Sequence, residues 1–269
     1  MPGRRPPLLS EAGFANIRQR VEQATGVHLA DDRRTGVAAR LHQRLKALRL
    51  TQFEQYLAVL DGPAGPGELE HLLRLLVARD SYFFREHRHF ECLAHWLATL
   101  EHPPRLWSAA CASGEEAWSL AMVAAQSSRL PGWQVLASDF DPQLLARAAT
   151  GIYDIAQARY FPEGWLVRHC LCGVGETAGR LRIASSLRER VRFEAINLIR
   201  TLPAHLGSFD AILLRNLLAN LAPPYKAKLL PRLLEHLRPG GLLIISHSES
   251  IHGLDLPLRP LLPSVFERL

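Results

Sequence analysis

Residues 106–122 read LWSAACASGEEAWSLAM, and this stretch decides the fold. Leu106, Trp107, Ala109 and Ala110 form the short apolar run that ends a buried strand. Ala112, Ser113 and Gly114 are small enough for backbone to approach a ligand closely. Trp118, Leu120, Ala121 and Met122 then fall at helical spacing. A strand, a tight turn and a helix N-terminus make the opening unit of a nucleotide-binding α/β sheet. The turn holds one glycine, so the dinucleotide fingerprint G-x-G-x-x-G is absent.

Two acids, Glu115 and Glu116, follow the glycine. A helix N-terminus suits an anion, and two carboxylates there oppose a phosphate. They suit a ligand with cationic groups, such as the sulfonium and ammonium of S-adenosylmethionine. Ser113 and Glu116 also have capping-box spacing, S-x-x-E, which leaves Glu115 to face a ligand. Ligand contact and pure capping both stay open on this stretch alone.

The remainder of the chain narrows the class. Its 269 residues, 48% of them hydrophobic, can bury a large core in one or two domains. No apolar run approaches membrane-spanning length, and MPGRRPPLL has no apolar signal core. Cys92, Cys111, Cys170 and Cys172 match no disulfide or zinc pattern, so no metal is expected and a reduced cytoplasm is the simplest location. Formal net charge is +6, and residues 1–60 carry ten Lys/Arg against five acids. That excess suits an acidic partner.

Residues 11–78 read as four helices, on Phe14/Ile17/Val21, Val37/Leu41/Leu45, Phe53/Tyr56/Leu60 and Leu69/Leu72/Leu76. Arg40, Arg44 and Lys46 fall off the apolar stripe of the second, where either a solvated face or a docking face is possible. Residues 79–104 read as linker and helix. Within them SYFFRE offers Tyr82, Phe83 and Phe84 for packing between domains, and Arg85 as an arginine that needs an anion.

From residue 105 to 269 strands alternate with helices. Val135, Leu136 and Ala137 lead to Asp139, the position that binds a ribose diol in such sheets. Asp141-Pro142 reads as a helix cap and first turn. Residues 153–190 break the rhythm and read as a small β excursion with a hairpin turn between Gly173 and Gly179. Further strands are expected at 191–196, 209–214, 242–245 and, on the sheet edge, 264–269, with one helix over 217–237. The strand tips then carry Gly114/Glu115, Asp139, Asn197, Arg215/Asn216 and His247. An amide such as Asn197 can both donate to and accept from an adenine edge.

In this order and spacing, TGVHL…GVAARLHQRLKALRL, SYFFRE, WSAACASGEEAWSLAM, ASDFDPQLLARAATGIY, VRFEAINLI, FDAILLRNLL and LRPGGLLIISHSES resemble the CheR-type chemotaxis receptor methyltransferases over nearly the whole chain. The resemblance implies a Rossmann-like S-adenosylmethionine-dependent methyltransferase sheet with an N-terminal helical domain and an inserted β-subdomain. It implies methylation of glutamate side chains on the cytoplasmic helical region of chemoreceptors by a monomeric enzyme, with no nucleic acid and no membrane insertion. It assigns Ser81, Arg85, Glu115, Asp139, Asn197, Leu198, Arg215 and Asn216 to the cofactor site, with Arg85 and Asn216 also positioning. Arg40, Arg44 and Lys46 become the docking cations. Arg79 stands where the family has Asn, GEEAWS replaces GEEPYS, and Asn220 replaces a Tyr expected near the methyl acceptor.

The acceptor carboxylate is ionised at neutral pH, so no general base is expected and no residue should dominate catalysis. The rival classes are a non-catalytic cofactor-binding signalling module, a nucleic-acid methyltransferase and, last, a nicotinamide oxidoreductase. The second would need an N/D-P-P-Y/F loop at a strand tip, and Pro223-Pro224-Tyr225 only resembles one at a helix start.

Overall fold

The structure is a computed structural model that describes residues 8–77 and 81–269. The chain divides into two compact units. The first is helical: α1 (Glu11–Thr25), α2 (Arg34–Ala47), α3 (Phe53–Asp61) and α4 (Gly65–Leu76). Ser10 caps α1 by accepting from the Gly13 N–H, and Gly26 ends it in a left-handed conformation. Ile17, Val21, Leu41, Leu45, Tyr56 and Leu72 form its closed core.

Arg40 and Arg44 are not loose charges on this unit. Arg44 grips Glu68 of α4 with two hydrogen bonds, 2.9 and 2.5 Å, and Glu68 is only 5% exposed. Arg40 donates to the Leu75 and Leu76 carbonyls at the end of α4. Both residues therefore join α2 to α4 rather than standing on a solvated face. Lys46 is exposed. The first unit also takes in Asn220–Pro223, where the Asn220 carbonyl accepts from the His28 N–H at 2.7 Å.

The second unit holds α5 (His87–Leu97), β1 (Arg105–Ala109), α6 (Glu115–Ser127), β2 (Gln134–Asp139), α7 (Pro142–Thr150), β3 (Ile152–Asp154), α8 (Trp165–His169), β4 (Cys170–Cys172), β5 (Arg180–Ile183) and α9 (Ser185–Arg188). It continues with β6 (Val191–Ala195), β7 (Phe209–Leu214), α10 (Pro223–Glu235), β8 (Leu237–Ile244), β9 (Leu258–Leu262) and β10 (Val265–Arg268). Seven strands run in the order β6-β2-β1-β7-β8-β10-β9. The pairs from β6 to β8 are parallel, and β10 is antiparallel to both neighbours. Strand order reverses between β1 and β7, which is where ligands bind in open α/β sheets. Trp107 and Trp118 are fully buried on β1 and α6. No helix of the described residues is long and apolar enough to cross a membrane.

Four elements differ from the sequence reading. The 217–237 helix begins only at Pro223, after a 3-10 turn at Leu218–Asn220. The run Leu237-Arg-Pro-Gly-Gly does not stop at its glycines: it opens β8, with a register shift opposite Phe209/Ala211 that absorbs the extra residues. Strand β10 is not the edge, because β9 pairs outside it. The excursion is a three-stranded sheet, β3-β5-β4, since Ile152–Asp154 also pairs with β5. Its aromatic side chains meet the SYFFRE segment. Phe83 contacts Tyr153 and Phe161, and Phe84 contacts Phe161 and Trp165, with ring centroids 4.6–5.7 Å apart. Phe83 and Phe84 thus pack inside the α/β unit rather than between domains.

Candidate functional site

The turn after β1 is bent in a way that composition alone does not require. Ala110 and Ala112 sit at φ 64° and 48°, and Gly114 at 94°. Non-glycine residues in that region cost of order 1–3 kcal/mol each and collect at functional sites. The turn is secured from the next strand. Cys111 donates its N–H to the Ser138 carbonyl at 2.8 Å, and Ala112 donates to Asp139 Oδ2 at 3.1 Å. The other Asp139 oxygen accepts from the Asp141 N–H at 3.1 Å. Asp141 caps α7, as its spacing predicts, through Gln143 and Leu144.

Ser113 and Glu116 do not form a capping box. Gly114 is the N-cap, and the Ser113 hydroxyl donates instead to Glu115 Oε2 at 2.6 Å. Glu116 turns inward, where it accepts from Ser108 Oγ at 2.7 Å and from Arg215 at 3.1 Å. A long-range arginine therefore outcompetes the local cap. Burial pushes the Glu116 carboxyl up from its ordinary range, and Arg215 and Ser108 oppose that. Glu115 is 5% exposed. Among the described residues it has no basic partner.

Arg215 is the hub at the tip of β7. Its side chain is 1% exposed and lies 3.1 Å from Glu116 and 3.2 Å from Glu86. It also donates to the Arg85 carbonyl and lies 5.6 Å above the Phe90 ring. Its Nε is buried without a hydrogen-bond partner among the described residues. The Arg85 side chain is half-buried over Tyr82, with guanidinium to ring centroid 5.6 Å.

Asn216 follows at φ 60°, with its amide donating to Ser246 Oγ at 2.9 Å. Glu249 fixes this loop by accepting from the backbone N–H groups of Asn216, Ala219 and Ser246, at 3.1, 3.1 and 2.8 Å. Glu86 accepts from Ser246 Oγ at 2.5 Å and from the His247 N–H at 3.2 Å. Burial alone would raise the Glu86 carboxyl. Ser246, Arg215 and His247 outweigh it and hold the group below the ordinary carboxylate range.

His89 is buried 3.3 Å from Glu86 and meets His247 in a tilted contact, ring centroids 4.4 Å apart. Burial, with Arg215, lowers it to about 4. Glu86, His89 and His247 place one ligand atom each within 4.8 Å of one another. Glu86 already serves Arg215, Ser246 and His247, while both ring nitrogens of His89 are buried without a hydrogen-bond partner among the described residues. Exposed His247 lies 3.4 Å from Ser264 Oγ, a structural setting rather than that of a base.

Asn197 and Leu198 follow β6, tied to the site by the Ile196 N–H donating to the Asp139 carbonyl at 2.9 Å. Asn197 Oδ1 accepts from the Ile199 N–H at 3.2 Å, and Arg232 donates to the Leu198 carbonyl at 3.2 Å. Ser81 is half-buried at the head of the SYFFRE segment. Arg79 lies outside the described residues. The structure thus brings Glu115, Asp139, Arg215, Asn216 and the Arg85 backbone to the tips of β1, β2 and β7. Sequence reasoning gave no role to Glu86, Glu116 as an arginine partner, Glu249 or Tyr153. Each stands in a motif already quoted, and only long-range pairing distinguishes it.

Comparison with known proteins matches residues 12–77 to "CheR methyltransferase, all-alpha domain" and residues 79–261 to "CheR methyltransferase, SAM binding domain". The chemotaxis protein methyltransferase of Salmonella typhimurium is 35% identical over 248 residues, 91% of this chain and 86% of that protein. That of Escherichia coli is 36% identical, over 92% and 87% of the two chains. Chemotaxis protein methyltransferase 2 of Pseudomonas aeruginosa is 37% identical, over 90% and 88%. The donor set agrees with the cofactor in that description: a buried acid with no basic partner suits an ammonium, and a second acid at the adjacent strand tip suits a diol. The chain belongs to the CheR methyltransferase family, with its all-helical domain followed by its S-adenosylmethionine-binding domain.

Proposed function

We propose that this protein methylates glutamate side chains in the cytoplasmic helical region of chemoreceptors, forming γ-glutamyl methyl esters, and that it acts in the cytoplasm as a monomer. One observation carries the reading: Glu115, Asp139, Arg215 and Asn216 lie at the strand tips around the β1–β7 switch point, on turns where Ala110, Ala112, Gly114 and Asn216 sit at positive φ. The bound cofactor supplies an electrophilic methyl group on a sulfonium. Glu115 holds the amino end and Asp139 the ribose hydroxyls. Asn197 and Leu198 flank the adenine, and Ser81 and Arg85 close the other side. Arg215 and Asn216 line the pocket.

The acceptor glutamate is an anion at neutral pH, so the residues need only orient it and exclude water. Positioning of this kind supplies roughly 7–11 kcal/mol in well-oriented systems. The experiment is titration calorimetry with S-adenosylhomocysteine and NAD, paired with methyl transfer to receptor read as base-labile methanol. Binding of the sulfur ligand and labelling of receptor are expected. NAD binding alone would sink the reading, and cofactor binding without transfer would leave a non-catalytic signalling module. Asp139→Ala should weaken cofactor binding, whereas Asp141→Ala should mainly lower stability, by about 1 kcal/mol for a lost cap.

A further inference from the structure

We propose that Tyr153, on the first strand of the inserted sheet, is a positioning residue for the methyl-transfer site, acting on Glu115 through Ser113. The phenol donates to the Ser113 carbonyl at 2.7 Å. The hydroxyl of the same serine donates to Glu115 Oε2 at 2.6 Å. A two-step hydrogen-bonded chain therefore runs from the inserted sheet to the acid expected to hold the amino end of the cofactor. The inference rests on that reading of Glu115.

The phenol is fixed from three sides. Strand β3 pairs Tyr153 with Leu181 of β5, which is fully buried. The ring meets Phe83 edge-on at 5.0 Å and 81°. Gly114 passes beneath the oxygen so closely that a Cβ there would lie 2.9 Å from it and 2.7 Å from the Ala148 Cβ. Burial pushes the phenol well above its ordinary range, so it remains a donor throughout the working pH range. Ala112 and Gly114, on either side of Ser113, both sit at positive φ. A turn so far from its relaxed conformation needs external ties, and Tyr153 supplies one from outside the main sheet.

The test uses the full chain and S-adenosylhomocysteine as the probe. Tyr153→Phe keeps the ring and removes only the hydroxyl. Calorimetry should show the dissociation constant rising about tenfold, the worth of one hydrogen bond. The KM for S-adenosylmethionine should rise in parallel, with kcat at saturation within about twofold, because the variant loses cofactor placement and not acceptor chemistry. Thermal unfolding should move by only a few degrees.

A double mutant separates positioning from general loosening. If Tyr153 acts through Glu115, Tyr153→Phe combined with Glu115→Gln should bind no more weakly than Glu115→Gln alone. Additive losses would overturn the inference, as would Tyr153→Phe binding within twofold of wild type while Glu115→Gln binds poorly. If Glu115→Gln itself binds like wild type, the reading of the turn fails, and the inference with it.

Discussion

Among the arginines that hold acids in this protein, Arg44 and Arg215 do so differently. Arg44 in the helical unit makes a fork with Glu68 alone, both ends satisfied, and its side chain stays 23% exposed. Arg215 at the sheet tips is 1% exposed, shared between Glu86 and Glu116, and its Nε has no hydrogen-bond partner among the described residues. A fork between one arginine and one carboxylate is complete in itself and joins two helices. An arginine divided between two acids with a donor left over, beside Asn216 at positive φ, is an arrangement kept for something other than stability. The first arginine joins two helices, and the second is the one proposed for the site.

The largest effect should come from Arg215. Arg215→Ala leaves the half-buried Glu86 and Glu116 without their shared cation, a loss of roughly 3 kcal/mol in urea unfolding. Arg215→Lys keeps a charge but cannot fork to two acids. It should remain folded and lose most methyl transfer. A lysine variant with wild-type kinetics would remove Arg215 from the site and make the two arginines equivalent.

Arg44→Ala should cost less, roughly 2–3 kcal/mol, because Arg44 is partly solvated while Glu68 is left buried and unpaired. Burial would raise the Glu68 carboxyl, and the Arg44 fork overcomes it to hold the group low. That contribution is present above the unfolded pKa and fades as pH falls through the folded one. Affinity for S-adenosylhomocysteine should not change. A tenfold loss of affinity in Arg44→Ala would show that the two regions are not separable.

A third effect is pH-dependent and belongs to the sheet tips. His89 titrates at about 4 when folded and near 6.5 when unfolded. Between those values the unfolded chain binds the extra proton, so stability falls as pH drops from about 6.5 towards 4. At pH 5 the loss from His89 is about 2 kcal/mol relative to pH 7. Glu86 is shifted down and adds its own loss only at lower pH. His89→Gln should therefore lose about 2 kcal/mol less than wild type between pH 7 and 5, by chemical denaturation. Parallel pH profiles for the two proteins would mean that folding leaves the titration of His89 unshifted.

These contrasts show what a sequence reveals and what it conceals. Helical period found all four helices of the first unit, and cap chemistry found Asp141, because both act over a few residues. The strand tips were legible because alternation of strand and helix forces Gly114, Asp139 and Arg215 to one edge of the sheet. The partners were not legible. Glu116 lies 99 residues from Arg215. Glu68 lies 24 from Arg44, on a helix whose polar face reads as ordinary solvated surface. Local spacing even pointed the wrong way, pairing Glu116 with Ser113. Strands β3 and β9 escaped for a related reason: each is short, and each is defined by the neighbour it pairs with rather than by its own pattern.

The smallest expected effect sharpens the comparison from the helical side. Residues 1–60 carry ten basic side chains against five acids, an excess that suits an acidic partner such as the receptor helix proposed as substrate. Of the three cations first assigned to docking, Arg44 holds Glu68 and Arg40 holds the end of α4, so their charge reversal would disturb helix packing before it tested docking. Lys46 is exposed near the end of α2 and is the clean probe. Lys46→Glu should leave stability within about 0.5 kcal/mol of wild type, as surface substitutions do. It should leave S-adenosylhomocysteine affinity unchanged, and raise the KM for receptor by roughly two- to fivefold at low salt. The difference should vanish near 1 M salt, where the screening length falls to about 3 Å. A KM that rises equally at low and high salt would mean a lost contact rather than lost attraction. A KM unchanged at both would place Lys46 outside the docking surface.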